Sequence, residues 1–173
     1  MFNFSDAMID RRALRENFST QRGLTPINRE MLQTTFTHSS LGGTDKNNER
    51  LEFIGDSVLG CCVAEILFQS FPSENEADLT LRKISLIKEP TLATVAHKIG
   101  LDQLLLLSHG EEKNGGRQKN SILSDTMEAV LGYIFLNFGY QKSRDLISQR
   151  IMTELDLDLE SYKSFKSRLQ EFI

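Results

Sequence analysis

Two groups of carboxylates in this 173-residue chain have spacings that could do chemistry. Glu49, Glu52 and Asp56 stand at i, i+3 and i+7 within NNERLEFIGDSVLG, residues 47–60. At about 100° per residue, a helix places all three within roughly a 60° arc of one face. Leu51, Phe53, Ile54, Val58 and Leu59 take the other directions, leaving little polar surface beside the stripe. Asp125 and Glu128 form a second pair at i, i+3, hemmed by Ile122, Leu123, Val130 and Leu131. Like charges on one face repel, and partly buried ones are costly unless paired or bound to metal. Oxygen-only ligands of this kind suit Mg²⁺ or Mn²⁺ rather than zinc. If the two helices pack face to face, Glu52, Asp56, Asp125 and Glu128 converge and could hold one or two ions. Such a site activates water, polarises a phosphate and stabilises a leaving oxygen. The plainer alternative is an acidic face in water, with Arg50 or Lys83 paired to some of the acids. Gly55 favours the packed arrangement. Glycine inside a helix costs about 1 kcal/mol against alanine and often marks close approach of another helix or a ligand.

The elements that must position these acids read as helices nearly throughout. Ser5-Asp6 can cap a helix to about Phe18, and Asn28 a second one to about His38. Residues 39–46, with Gly42-Gly43, read as a loop. Asn47 or Asn48 can cap the helix of the first acidic stripe, which runs apolar to Phe71 and stops at Pro72. Ser73 and Glu76 have capping-box spacing for a helix through about Lys88. Pro90 suits the first turn of the next helix and Gly100 its C-terminal cap. Leu104–Leu107 reads as a short buried helix, and residues 108–120, with three glycines, as a flexible loop. Ser121 can cap a helix carrying Asp125 and Glu128 that ends at Gly139, with one more helix over about Gln141–Leu155. No segment has convincing period-2 alternation, so the expected class is all-α.

Composition bounds the function. Lysine and arginine number 20 against 24 aspartates and glutamates, a formal net charge of −4. Bulk positive charge therefore does not hold this chain on nucleic acid. Cys61 and Cys62 are neighbours in an apolar run and do not form an ordinary disulfide, so a reducing cytosol is expected. No stretch reaches the roughly 18 apolar residues of a membrane span, and MFNFSDAMIDRR lacks the pattern of a signal peptide. A cytoplasmic location is the expectation. His38 reads as a helix-end residue, and His97 and His109 have no ligand-spaced partners.

Residues 48–56, NERLEFIGD, closely resemble the signature of the ribonuclease III family at all nine positions. THSS at 37–40 resembles a second family element, and GEEKNGGRQKNSILSDTMEAVLG at 110–132 the family's second acidic segment. Ala77, Asn120 and Ser124 depart mildly from the pattern, and none of them replaces an acid. The resemblance implies an all-α, ribonuclease III endonuclease-domain-like fold that acts as a homodimer. It implies Mg²⁺-dependent hydrolysis of double-stranded RNA, with Mn²⁺ as a substitute, leaving 5′-phosphate and 3′-hydroxyl ends. Processing of ribosomal and other RNA precursors is the family-level role, with no organic cofactor and no membrane. By the family pattern Glu52, Asp125 and Glu128 ligate the metal, and Asp56 and Glu128 are catalytic. Glu49 and Glu76 match acids nearer the RNA and the dimer cleft; the alternative for Glu76 is the capping box. Phe53 matches an aromatic that inserts into the partner subunit; the alternative is core packing.

The resemblance divides the chain into a catalytic domain, 1–158, and a segment, 159–173. The latter's SFKSRLQEFI resembles the opening helix of a double-stranded-RNA-binding domain, so a truncated chain is expected. Duplex RNA is read mainly by shape and phosphates. Arg82, Lys83, Lys113, Arg117 and Lys119 are candidate phosphate contacts, or simply solvated surface. Two rivals remain: a fold that grips RNA without cutting, and a helical interaction protein with surface acids. The first would lack one of the four acids, and the second would show no specific metal site.

Overall fold

The apolar positions of the first acidic segment recur at helical spacing, and they bury one continuous stripe. Leu51, Gly55, Val58, Leu59, Cys62, Val63, Ile66 and Leu67 are buried along helix Glu49–Ser70. A computed structural model describes residues 15–17, 28–41, 43 and 46–152. Its elements are α1 (Arg29–Thr35), α2 (Glu49–Ser70), α3 (Glu76–Ile87), α4 (Glu89–Lys98), α5 (Leu101–Leu104), α6 (His109–Lys113), a 3₁₀ turn (Gly116–Gln118), α7 (Asn120–Leu146) and a π-turn (Ile147–Ile151). The expected all-α class holds. The only β-type pairing among the described residues is one isolated parallel bridge, Thr37 to Leu106. None of the described helices is long and apolar enough to cross a membrane.

Helix α7 is the centre. From Ile122 to Ile134 it is buried on nearly every side, with α2 and α4 packed against it and α3 packed on α2. The α2–α7 contact is closer than side chains permit. A Cβ on Gly55 would lie 1.8 Å from the Glu128 carbonyl oxygen, and one on Gly132 would lie 2.1 Å from that of Leu51. Residue 55 thus faces 128 and residue 51 faces 132, so the two helices cross antiparallel, backbone against backbone. Typical helix pairs stand 8–10 Å apart with side chains between them. Here two glycines remove that spacer.

Several boundaries differ from the sequence expectation, each for a local reason. Asn28 caps α1 as expected, its side chain accepting from Met31 N–H, but the helix ends at Thr35. The chain there turns extended to pair with Leu106, whose N–H donates to Phe36 O while His38 N–H donates to Leu106 O. Leu105–Leu107 is correspondingly extended, and the short helix lies just before it, at Leu101–Leu104. Asn75, not Ser73, caps α3: its side chain accepts from Asp78 N–H, which leaves Glu76 as the first helical residue and removes the capping-box reading. Helix α7 begins at Asn120, with Lys119 rather than Ser121 at the cap position. The stretch 108–120 is not a bare loop. Ser108 caps α6 by accepting from Glu111 N–H, and Arg117 ties back to Glu112 and to the carbonyls of Asp102 and Leu105. Gly139, with φ 80°, breaks α7 where the sequence ends it, and helix resumes beyond. Glu65 on α2 then accepts from Tyr140 O–H and Arg144 Nε, pinning the resumed helix to α2. The expectations for residues 1–14 and 153–173, including the segment 159–173, lie outside the described residues.

Gly55→Ala must push α2 off α7, because the obstacle is backbone. Urea denaturation is expected to show a loss of about 2–3 kcal/mol, the upper range for overpacking. Gly43→Ala, where a Cβ meets nothing within 4 Å, is the control. It should stay within about 0.5 kcal/mol.

Candidate metal centre

The glycine crossing sets what lies beside it. Glu52 is one turn before Gly55 and Asp56 is next to it, while Glu128 faces Gly55 directly and Asp125 is one turn earlier on α7. Ligand oxygens of Glu52, Asp125 and Glu128 all lie within 4.8 Å of one another. Two oxygens on one Mg²⁺ stand about 3–4 Å apart, given bonds of about 2.1 Å, so side-chain rotation alone closes the difference. The three acids are half-buried, and among the described residues no lysine or arginine forms an ion pair with any of them. The alternative of pairing with Arg50 or Lys83 is absent: the Lys83 ammonium lies over Gly60, and Arg50 is exposed along a groove. An all-oxygen, half-desolvated and uncompensated set fits a hard divalent cation.

Electrostatics show how tightly the acids are gathered. Burial pushes Glu128 up to about 7 from 4.5, and the charges of Asp56, Glu52 and Asp125 add to it. Burial likewise pushes Glu52 up to about 6, helped by Asp125, Glu49 and Asp56. Asp125 is raised by burial and then by Glu89, with His38 acting against them. Asp56 is exposed, outside the three-acid cluster, yet its charge reaches both Glu52 and Glu128. It therefore forms the solvent edge of the same site.

The remaining residues fall elsewhere. Glu49 is exposed, accepting from Asn47 Nδ2 while Asn47 Oδ1 accepts from its backbone N–H. Asn48 takes the cap position without a side-chain bond, while the Asn47 side chain bonds the first turn; the sequence left the cap between the two. Glu76 sits exposed at the start of α3, accepting from Thr80 O–H, and is not part of the cluster. Phe53 is 76% exposed, so the core-packing alternative fails. It borders an open groove of about 840 Å³ with Met31, Thr34, Ile54 and Leu136. Three candidate phosphate-binding cations are already committed: Arg82 to Glu74 and the face of Phe71, Arg117 to Glu112, and Lys119 to Glu111. Gly132 and Glu89 were missed. Gly132 carries the same signal as Gly55, a glycine inside an apolar helix, whereas Glu89 has none, since only α4 packing on α7 brings it near Asp125.

The raised carboxyls have a stability consequence. Between about pH 4.5 and 7 the folded chain holds protons on Glu52 and Glu128 that the unfolded chain has released. Metal-free stability must therefore fall as pH rises through that window. Glu65 and Glu111 are held low by Tyr140 and Lys119 respectively, so their contribution is already complete above 4.5. Thermal unfolding in chelator should show a falling midpoint from pH 5 to 7.5, reversed by millimolar Mg²⁺ or Mn²⁺. Glu128→Gln should flatten the fall and blunt the metal effect. A midpoint that rises with pH in chelator would contradict the assignment.

Comparison with known proteins places this geometry. A family model described as ribonuclease-III-like matches residues 28–155. Ribonuclease 3 of Nitratidesulfovibrio vulgaris is 43% identical over 148 residues, covering 82% of this chain and 58% of that protein. Ribonuclease 3 of a Nitratiruptor species is 41% identical over 160 residues, covering 91% of this chain and 70% of that protein. The chain thus spans under three quarters of either relative, and less than two thirds of the first. Among solved structures, a nuclease domain of ribonuclease III from Campylobacter jejuni superposes with a TM-score of 0.77 at 34% identity, covering 82% of this chain and 99% of that one. That structure is described as having flexibility in a region involved in dimer formation. A second structure of the same domain gives a TM-score of 0.76 at 35% identity. By sequence, by fold and by its carboxylate cluster, the chain belongs to the ribonuclease-III-like family.

Proposed function

We propose that this chain is the catalytic domain of a Mg²⁺-dependent endoribonuclease that hydrolyses double-stranded RNA to 5′-phosphate and 3′-hydroxyl ends. The observation that carries this reading is the convergence of Glu52, Asp125 and Glu128, on two helices in backbone contact, within a ribonuclease-III-like chain. These three residues hold the ion, with Mn²⁺ as a substitute. When bound, the ion supplies charge to polarise the scissile phosphate and a means of activating water. Asp56, at the solvent edge, is the acid best placed to handle a proton beside the substrate, and Glu128 shares the catalytic role. Burial keeps water away from the inner oxygens and strengthens their hold on a cation. Glu49 and Glu76 lie outside the cluster and are assigned to the RNA-facing rim. The retention of all four acids favours cleavage over grip alone, and their half-burial without counter-ions disfavours a merely solvated face.

The active form is a homodimer. An exposed phenylalanine beside an apolar-lined groove is what a self-complementary two-fold contact requires. Two such sites would cut the two strands of one duplex. The catalytic domain is assigned to residues 1–158, with 159–173 as the start of a further RNA-binding segment. Ribosomal and other precursor RNAs in the cytoplasm are the proposed substrates.

Glu128→Gln should lower Mg²⁺-dependent cleavage of a long duplex RNA at least a hundredfold, with the wild-type products carrying 5′-phosphates on end-group analysis. Cleavage that persists at the wild-type rate would overturn the mechanism. Phe53→Ala should weaken self-association about thirtyfold or more in sedimentation equilibrium, while helicity stays unchanged because the ring is exposed.

A further inference from the structure

The carboxylate cluster has a chemical gap that the nuclease reading leaves open. Ionised carboxylates only accept hydrogen bonds, and so do phosphate oxygens. Glu52, Asp125 and Glu128 can hold a cation but, when ionised, offer an RNA backbone no donor, and neither do Asp56 and Glu89 beside them. The nearby basic side chains on the α6–α7 connection are spent, Lys119 on Glu111 and Arg117 on Glu112. His38 is a further polar group on the Asp125 side. It is half-buried, and its ring lies near enough to Asp125 and Glu111 to influence both carboxyls.

Its setting holds it in one orientation. His38 N–H donates to Leu106 O, and Asn48 N–H at the start of α2 donates to Thr37 O. Ser40 Oγ accepts from Ser108 N–H, and Ser108 Oγ accepts from Glu111 N–H. The segment 37–40 is thereby fastened to the helix that carries Glu52 and to the one that carries Glu111. Ser40 N–H donates to His38 Nδ1 at 3.2 Å. A backbone N–H donates only to an unprotonated ring nitrogen, so the ring proton sits on Nε2. Among the described residues Nε2 has no hydrogen-bond partner. The imidazole is thus a neutral, oriented donor at the rim of a cluster made of acceptors.

We propose that His38 is a substrate-binding residue of this site, its Nε2–H donating to a non-bridging phosphate oxygen of the RNA strand on the Asp125 side of the carboxylate cluster. The assignment rests on the nuclease reading above and adds the donor which that reading lacks. A neutral donor releases no counterion, so it contributes affinity without contributing to the salt dependence of binding.

The test is binding of a short duplex RNA by the wild-type chain, His38→Ala and His38→Gln in Ca²⁺ buffer, followed by fluorescence anisotropy from 50 to 200 mM salt. Glutamine keeps an amide N–H near the position of Nε2. His38→Ala should weaken binding roughly tenfold with an unchanged slope of log affinity against log salt. His38→Gln should stay within about threefold of wild type. Mn²⁺ affinity, measured without RNA, should be the same in all three proteins. An alanine variant that binds like wild type, a glutamine variant that falls as far as alanine, or a salt slope reduced by about one unit in His38→Ala overturns the assignment while leaving the nuclease reading standing. A loss of Mn²⁺ affinity in the alanine variant also overturns it, since His38 would then act on the metal ligands rather than on RNA. A wild-type chain that binds no duplex RNA overturns both.

Discussion

The contact between Gly55 and Gly132 is the constraint on which the rest of this structure depends. Carboxylates on separate helices come within reach of one ion only if the helix axes approach closely, and side chains normally prevent that. A Cβ at either position would overlap a carbonyl of the opposite helix. The missing methyl groups let the backbones touch, and Glu52 and Asp56 are carried against Asp125 and Glu128. The surrounding core serves the same end. Leu59, Val63, Met127, Val130 and Leu131 are almost completely buried around the crossing and hold it in one geometry.

The site so formed is destabilising by itself. Burial and mutual repulsion both disfavour the charged forms of Glu52 and Glu128, and among the described residues no basic side chain forms an ion pair with them. Four cations are fastened elsewhere: Arg144 to Glu65, Arg82 to Glu74, Lys119 to Glu111 and Arg117 to Glu112. The electrostatic strain is thereby kept available for an incoming cation, whose binding would relieve it and couple metal affinity to pH and to folding. A cation held there would reconcile a net charge of −4 with the RNA substrate proposed above, because attraction would be supplied locally and not by the protein's surface at large.

Much of this was legible in residue types and spacing. The acids at 49, 52 and 56 and at 125 and 128, in apolar surroundings, define two faces that must meet something, and Gly55 marked where. The legible part ends where partners come from distant segments. Three boundary expectations, at Asn28, Pro90 and Gly139, rest on local backbone chemistry and hold. The Ser73–Glu76 box fails because Asn75, two residues on, caps as well and starts the helix later. The extension at 105–107 was not legible, because its pairing partner, Thr37, lies some seventy residues away. For the same reason His38 looked like a helix end in sequence. Its orientation comes from Leu106 and from a serine fastened to Ser108.

The sequence by itself determined the ingredients: an all-α chain, two acidic helical faces in apolar surroundings, the glycine that lets them touch, and a nine-residue signature of one family. These depend on side-chain type and on the fixed periodicity of a helix, both of which are local. Only the tertiary structure decided which acids converge and which remain outside. It drew Glu52, Asp125 and Glu128 together, set Asp56 at the edge, left Glu49 and Glu76 apart and turned Phe53 outward. Those assignments depend on the register of one helix against another. Register is set by the whole packed core, and no local pattern records it.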